Sequence, residues 1–515
     1  MAIHRRGAEL NIANGIREFA IATPSTMAVI DGDRQLTYAA LDERSNRLAS
    51  HLLSSGLSKG DHVAFLSGNR LEYCEVAAGI AKAGMVMIPM NPRSAAPEID
   101  FVFGHSDAKA IILDDALSAS AVTAVENHSP RTILSFGGTS LGSDYEAALD
   151  AAPAVDPRVV VDETEPFAIA YTSGTTGDPK GVVISHRSRV LTFYAAALEW
   201  GMGPGKRTIA VAPLYHGAGF AFGYAAVHTG ATVSMLRAFD PAELLAMVQR
   251  DRPNSSFLVP THAAIMRQLG EDKIASFDTS SLEVLYFNAA PLPQELKEWV
   301  HGMFPHVGLH ELYGSTEAAV VTDLRPKDIM RKERCVGPAW WMNEVRVVDE
   351  DGHPVKPGDV GELFSRSPYL MNGYYKNPEA TEASTTEDGF FSAGDLAMID
   401  DENHIYIVDR KKDLILSGGA NIYPREIEEV LIRHSAVVDV AVIGLPSETW
   451  GEQVTAVVVT ADGADPPVEE LDQLCRAQLA GYKVPRRYEL VDALPRNAGM
   501  KVVKRDLKDR FTPSG

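Results

Sequence analysis

Cysteine is scarce. Cys74, Cys335 and Cys475 are the only three in 515 residues, odd in number and far apart. No CxxC spacing occurs, which excludes a disulfide framework and a cysteine metal knuckle and fits a reducing compartment. Long apolar runs are missing too. The best, around 76–90, is interrupted by Lys82 and is too short to cross a bilayer. There is no basic excess: 48 Lys and Arg face 69 Asp and Glu, a net charge of −21. That argues against sequence-independent nucleic-acid binding and against an anionic membrane surface. It leaves ATP open, since local lysines and backbone amides still build a positive site. His4, Arg5 and Arg6 precede Glu9, Glu18 and Pro24, so no signal-peptide core is expected and a cytoplasmic enzyme is the default. No fixed-period repeat and no long low-complexity stretch occurs.

What is present is ordinary globular composition, 45% apolar and 23% charged. The length suits roughly three cores. Residues 16–60 are expected to be helical, with apolar positions at helical spacing from Leu41 to Leu53 and stops at Gly56 and Gly60. Strands are expected at 62–68, 86–90 and 110–115, with a helix from 71 to Gly84. The alternation returns at 208–215, 231–236, 255–260 and 283–288. It predicts an α/β fold of mostly parallel sheets with covering helices. Residues 336–410 differ: short strands between DEDG, KPGD and DGF turns suggest an antiparallel or barrel-like unit. After Arg410 a helix, two strands and another helix read as a small α+β domain. The expected division is 1–410, with 336–410 as the barrel-like part, and 411–515.

Residues 171–186, YTSGTTGDPKGVVISH, carry the strongest motif. Thr172, Ser173, Thr175 and Thr176 offer hydroxyls, while Gly174 and Gly177 allow backbone angles that aim N–H groups into a concave nest. Such a loop suits nucleotide phosphates, with Lys180 as charge partner. The Walker A pattern does not fit, because Lys180 follows Pro179 and precedes Gly181. The bend Gly217-Ala218-Gly219 also fails as a dinucleotide fingerprint, since the third glycine is displaced.

The 171–186 run resembles the signature loop of the adenylate-forming superfamily: acyl-CoA synthetases, free-standing adenylation enzymes and beetle luciferases. The resemblance continues through YHGAGF at 215–220, LYGSTEA at 312–318, SAGDLA at 392–397, DRKKDLILSGGANIYPREIE at 409–428 and LPRNAGMK at 494–501, in the family's order. It implies that the loop holds the β- and γ-phosphates of ATP. Glu317 resembles the family's Mg²⁺ ligand and Thr316 a phosphate-contacting hydroxyl, with Tyr313 and Gly314 beside adenine. Asn288, Ala289 and Ala290 resemble the adenine-edge segment, although glycine is commoner where Asn288 stands; Asn288 would contact adenine or shape the acyl pocket. Asp395 matches the aspartate that accepts both ribose hydroxyls, and Arg410 the arginine near the sugar and α-phosphate. His216 matches a histidine lining the carboxylate entry. Lys501 matches the catalytic lysine, with Met500 replacing the usual preceding glycine.

The reaction so implied is attack of a carboxylate on the ATP α-phosphate. It yields acyl-AMP and pyrophosphate, then an acyl thioester and AMP. Catalysis would be mostly positioning and electrostatics. The resemblance further implies a mobile C-terminal domain that pivots at Lys412 and brings Ser417, Gly418 and Gly419 to the thiol. Trp450 and Tyr482 look like parts of a CoA-binding surface. Residues 213–223 contain no aspartate, which disfavours α-amino acids. His216, Gly217, Ala218, Phe220, Ala318 and Val320 are expected to line a pocket for a fatty, alicyclic or aromatic monocarboxylate. Trp340 and Trp341 are either further walls or barrel core. ATP, Mg²⁺ and coenzyme A are the expected cofactor and co-substrates. A homodimer is a family-level expectation. Two rival readings stand beside the ligase: an adenylating enzyme loading a carrier protein, and a non-catalytic acyl-nucleotide binding protein.

Overall fold

Interior strands form where short apolar runs such as HVAFL and AIILD can be covered on both faces, as parallel sheets require. The computed structural model describes residues 10–172, 179–461, 468–496 and 502–512. These residues form two compact units, one of Met1–Val345 with Ser365–Phe391 and one of Arg346–Phe364 with Ser392–Gly515.

The larger unit holds two eight-stranded sheets. In the first, His62–Leu66, Val86–Met90, Ala108–Asp114 and Thr132–Phe136 run parallel. In the second, Arg207–Ala210, Thr232–Met235, Ser255–Leu258, Val284–Phe287 and Gly308–Ser315 do the same. Each sheet carries an antiparallel strand pair toward one flank. Pro166–Thr172 pairs with Lys180–Ser185, and Gly308–Ser315 pairs with Ala319–Leu324. Both hairpins carry motif residues at or beside their turns. Helix Leu71–Lys82 is buried along its whole length. Its charges are paired there: Glu75 with Arg44 at 2.6 Å, and Lys82 with Asp42 at 2.6 Å.

The smaller unit contains a four-stranded sheet in the order Glu344–Val348, Val360–Arg366, Asp395–Ile399, Ile405–Arg410. A five-stranded sheet built on the long pair Val437–Ser447 and Gly451–Thr460 follows. Helices Pro424–Leu431 and Val468–Gln478 supply Ile427, Leu431 and Leu471 to its core. The α/β class, with a large N-terminal part and a smaller α+β C-terminal part, is as expected from sequence. No helix of the described residues is long and apolar enough to cross a membrane.

One element differs. Residues 16–60 are not one helical region. Helix Asn14–Ala22 is followed by a tight hairpin, Met27–Asp31 with Arg34–Thr37, before helix Tyr38–Ser54. Gly32 at φ 61° makes the two-residue turn. Thr37 then caps the second helix, its hydroxyl accepting from the Ala40 N–H at 3.2 Å. The expected strand at 208–215 likewise ends at Ala210.

Candidate functional site

In the larger unit, two hairpin edges and two strand ends bring motif residues forward. Thr172 ends one strand and pairs in register with Lys180. Gly181 sits where a side chain would collide, since a Cβ there would lie 2.8 Å from Ile169. The Lys180 ammonium sits 5.1 Å from the centre of the Tyr374 ring, and no carboxylate of the described residues pairs with it. Ser173, Gly174, Thr175, Thr176 and Gly177 lie outside the described residues, as does Lys501.

The second hairpin turns at Thr316–Ala318. The register shifts between Tyr313 and Gly314, and a Cβ on Gly314 would overlap the Ala319 carbonyl oxygen. Ala318 N–H donates to Ser315 Oγ at 3.1 Å, and Ala319 takes a left-handed φ of 55°. The segment opening LYGSTEA is therefore a strained strand turn. Glu317 is fixed twice. Its carbonyl accepts from Met371 N–H at 2.7 Å, and its Oε1 accepts from the Tyr374 hydroxyl at 3.0 Å. The other carboxylate oxygen has no hydrogen-bond partner among the described residues. One oxygen on a short turn is what Mg²⁺ asks of a protein, because it takes most ligands from water and phosphate.

His216 precedes helix Gly217–His228 and is exposed. A Cβ on Gly217 would stand 3.6 Å from the Thr316 hydroxyl, so the helix start abuts the hairpin turn. Asn288 follows the strand Val284–Phe287, its Oδ1 accepting from Ala289 N–H at 2.6 Å, and Ala289 adopts φ 76°. Ala289 and Ala290 are exposed. This loop is tied to the Tyr313 strand by a residue the motifs did not single out. Glu311 accepts from Leu292 N–H at 3.0 Å and pairs with buried Lys297 at 2.7 Å. The available signal was a charge inside an apolar strand, Leu309-His310-Glu311-Leu312, which demands a partner.

Of the expected pocket residues, Phe220, Ala318 and Val320 are buried. Phe220 packs against Phe167, at 5.6 Å between ring centres, and Tyr224, at 4.8 Å. A void of about 10 Å³ lies beside Gly219, Phe222 and Gly223 and is walled by Phe257 and Tyr286. Trp340 belongs to the core, stacked on Trp200 at 5.4 Å. Trp341 is 45% exposed and donates to Glu199. Glu199, His310 and Asp323 come close enough to share a metal ion. Glu199 is already held by Arg325 at 2.8 and 2.9 Å, and Asp323 by His310 at 3.0 Å, so the group is a satisfied ion network.

In the smaller unit, Asp395 opens a strand. It is buried and pairs with Arg410 at 2.6 Å, its register partner. Glu362 accepts from Ser392 at 2.6 Å and Lys411 at 2.7 Å. Lys412 lies in a single 3-10 turn, Lys411–Asp413. Ser417 pairs with Gly451, and Gly418 N–H donates to the Trp450 carbonyl at 2.8 Å. Gly418 and Gly419 both take left-handed φ, at 59° and 81°. The Arg486 guanidinium covers the half-exposed Trp450 ring at 4.1 Å. Tyr482 is half-exposed beside Lys483, whose ammonium is 5.7 Å from the ring centre.

Family models described as AMP-binding enzyme and AMP-binding enzyme C-terminal domain match residues 16–375 and 426–501. A feruloyl-CoA synthase of Amycolatopsis is 35% identical over 497 residues, spanning 95% of this chain and 96% of that protein. A long-chain-fatty-acid–CoA ligase of Mycobacterium tuberculosis is 34% identical over 512 residues, 98% and 99% of the two chains. ATP-bound MatB from Rhodopseudomonas palustris superposes with a TM-score of 0.87 at 29% identity, covering 97% of this chain and 99% of that one.

Proposed function

The chain belongs to the AMP-binding, adenylate-forming enzymes and is an AMP-forming acid–thiol ligase, and from that premise we propose that it activates a hydrophobic monocarboxylate with ATP and passes the acyl group to coenzyme A. The observation that carries the nucleotide reading is a pair of unspent charges. Among the described residues Lys180 has no carboxylate partner, and Glu317 keeps one oxygen without a hydrogen bond. A cation and an anion left unpaired so close to one tyrosine fit a ligand that is anionic and brings a metal, as a triphosphate does.

A carboxylate is a poor electrophile, and it approaches a phosphate of like charge. The residues therefore act by position and field. Lys180, Thr172 and the hydroxyls and amides of 173–177 hold phosphate oxygens. Tyr313, Gly314 and the 288–290 segment take adenine, Asp395 the ribose hydroxyls, and Arg410 the α-phosphate side. Thr316 steadies phosphate, and Lys501 stabilises charge during anhydride formation. Bound Mg²⁺, with Glu317 as ligand, supplies charge neutralisation of the phosphates. His216 orients the carboxylate at the mouth of a pocket formed with Gly217, Ala218, Phe220, Ala318 and Val320. Removing one such preorganised group costs on the order of 10²–10³ in rate.

For the second half-reaction, 1–410 and 411–515 act as separate bodies pivoting at Lys412. Ser417, Gly418, Gly419, Trp450 and Tyr482 receive the thiol substrate. The substrate is fatty, alicyclic or aromatic. The test is acid-dependent pyrophosphate exchange into ATP across a panel of such acids, followed by thioester formation with free CoA or with a carrier protein. Exchange with some members and thioester on CoA is the expected result. No exchange with any acid would leave only nucleotide binding, and thioester solely on carrier protein would replace CoA as acceptor.

A further inference from the structure

Tyr374 stands between the two unspent charges. Its hydroxyl donates to Glu317 Oε1 at 3.0 Å, while the face of its ring carries the Lys180 ammonium at 5.1 Å. Its own place is over-determined. Tyr374 is in register with Val182, and its N–H donates to Thr381 Oγ1 at 2.9 Å. The next amide, Tyr375 N–H, donates to the Gly181 carbonyl at 2.7 Å, and Met371 N–H to that of Glu317 at 2.7 Å.

Lysine is a point charge on a flexible stem and pairs readily with a nearby carboxylate. An ion pair between Lys180 and Glu317 would satisfy both groups and leave neither for phosphate or metal. We propose that Tyr374 is a positioning residue that prevents this self-pairing: its ring holds Lys180 by a cation–π contact, and its hydroxyl pins one Glu317 oxygen so that the other faces the metal. The inference rests on the proposed assignment of Glu317 to the metal of the MgATP complex.

The experiment measures Mn²⁺ binding by electron paramagnetic resonance in the presence of a non-hydrolysable ATP analogue, alongside KM for ATP and for the acid. Tyr374→Phe keeps the ring and loses the hydroxyl. It is expected to weaken Mn²⁺ binding by about 10- to 100-fold, with KM for the acid unchanged. Tyr374→Leu removes the separator as well and should bind Mn²⁺ more weakly still. Adding Lys180→Met to Tyr374→Leu frees Glu317 from its captor; measured with Mn²⁺ alone, because Lys180 also holds nucleotide phosphate, the double variant should bind Mn²⁺ more tightly than Tyr374→Leu. Wild-type Mn²⁺ affinity in Tyr374→Phe, or no recovery in the double variant, overturns the proposal. Glu317→Gln separates the two failures. Weak binding there with normal binding in Tyr374→Phe sinks this inference alone, whereas normal binding in Glu317→Gln sinks the metal assignment beneath it.

Discussion

Mild acid should loosen this protein before its carboxylates titrate. Two buried histidines grip one residue near the N-terminus. Ile12 N–H donates to His186 Nδ1 at 3.2 Å, and His228 Nδ1 lies 2.9 Å from the Ile12 carbonyl oxygen. The first bond leaves the His186 proton on Nε2, and the second needs the His228 proton on Nδ1. Neither Nε2 has a partner among the described residues, and both rings are inaccessible. Burial first, then Arg17, hold His186 down to about 3, and burial holds His228 down to about 4. Both values lie below the unfolded value of about 6.5. The unfolded chain thus binds more protons across that window, and stability present above pH 6.5 is lost as pH falls. At pH 5 each ring costs about 2 kcal/mol, together about 4, wherever below 5 the folded values lie. His262, held by burial at about 4, adds in the same direction. Urea unfolding followed by tryptophan fluorescence at pH 7.5 and pH 5.0 reads the difference, with Trp200 and Trp340 stacked in the same unit as reporters. His228→Gln removes one titration and should shrink the difference by about 2 kcal/mol. An unfolding midpoint that does not move between the two pH values would refute the reasoning, as would a His228→Gln variant with undiminished acid sensitivity.

Other outcomes follow from single sites. Lys501→Ala should abolish acyl-AMP formation and spare thioester formation from supplied acyl-AMP, and Lys412→Pro should do the reverse; rapid-quench assays of each half-reaction decide. Arg189 is buried, held down by burial to about 10, and its Nε has no hydrogen-bond partner among the described residues; its charge rests over the Phe167 ring at 5.9 Å. Arg189→Met should therefore stabilise the fold by about 1–4 kcal/mol, and a lower melting midpoint would show that this charge is in use. Gly314→Ala forces a methyl onto the Ala319 carbonyl oxygen. It should cost ATP turnover on the order of 10²-fold, by displacing the Glu317 turn, while calorimetry still shows a folded chain.

Parallel strands were legible because their apolar runs are nearly uninterrupted, as in AIILDD, and because glycine ended the helices between them. The 27–37 hairpin was not, because Arg34 and Gln35 break the strand pattern and the helical spacing beyond Leu41 masks the turn at Gly32. Motif residues were legible one by one from resemblance. Their contacts were not: nothing in sequence joins Lys180 to Tyr374 and Glu317, which lie 194 and 57 positions from Tyr374. Pairing between Gly373–Tyr374 and Val182–Val183 does that, and register is a property of the folded sheet. Trp340 and Trp341 are identical neighbours in sequence, yet the chain enters a turn at Trp341, which leaves one ring in the core and the other half-exposed.

The three glycines of 217–223 grade how far this helix, a wall of the acyl pocket proposed above, can be altered to suit a different acid. A methyl at 219 has nowhere to go, because the Pro213 carbonyl occupies its place. One at 223 meets the end of the Leu214 side chain at 2.6 Å, which has rotamers to yield. One at 217 would merely touch Thr316 at 3.6 Å. Laboratory evolution of substrate range at this helix accordingly has a single inexpensive starting position, its first residue, and variation there would trim the entrance while the backbone beneath stays put.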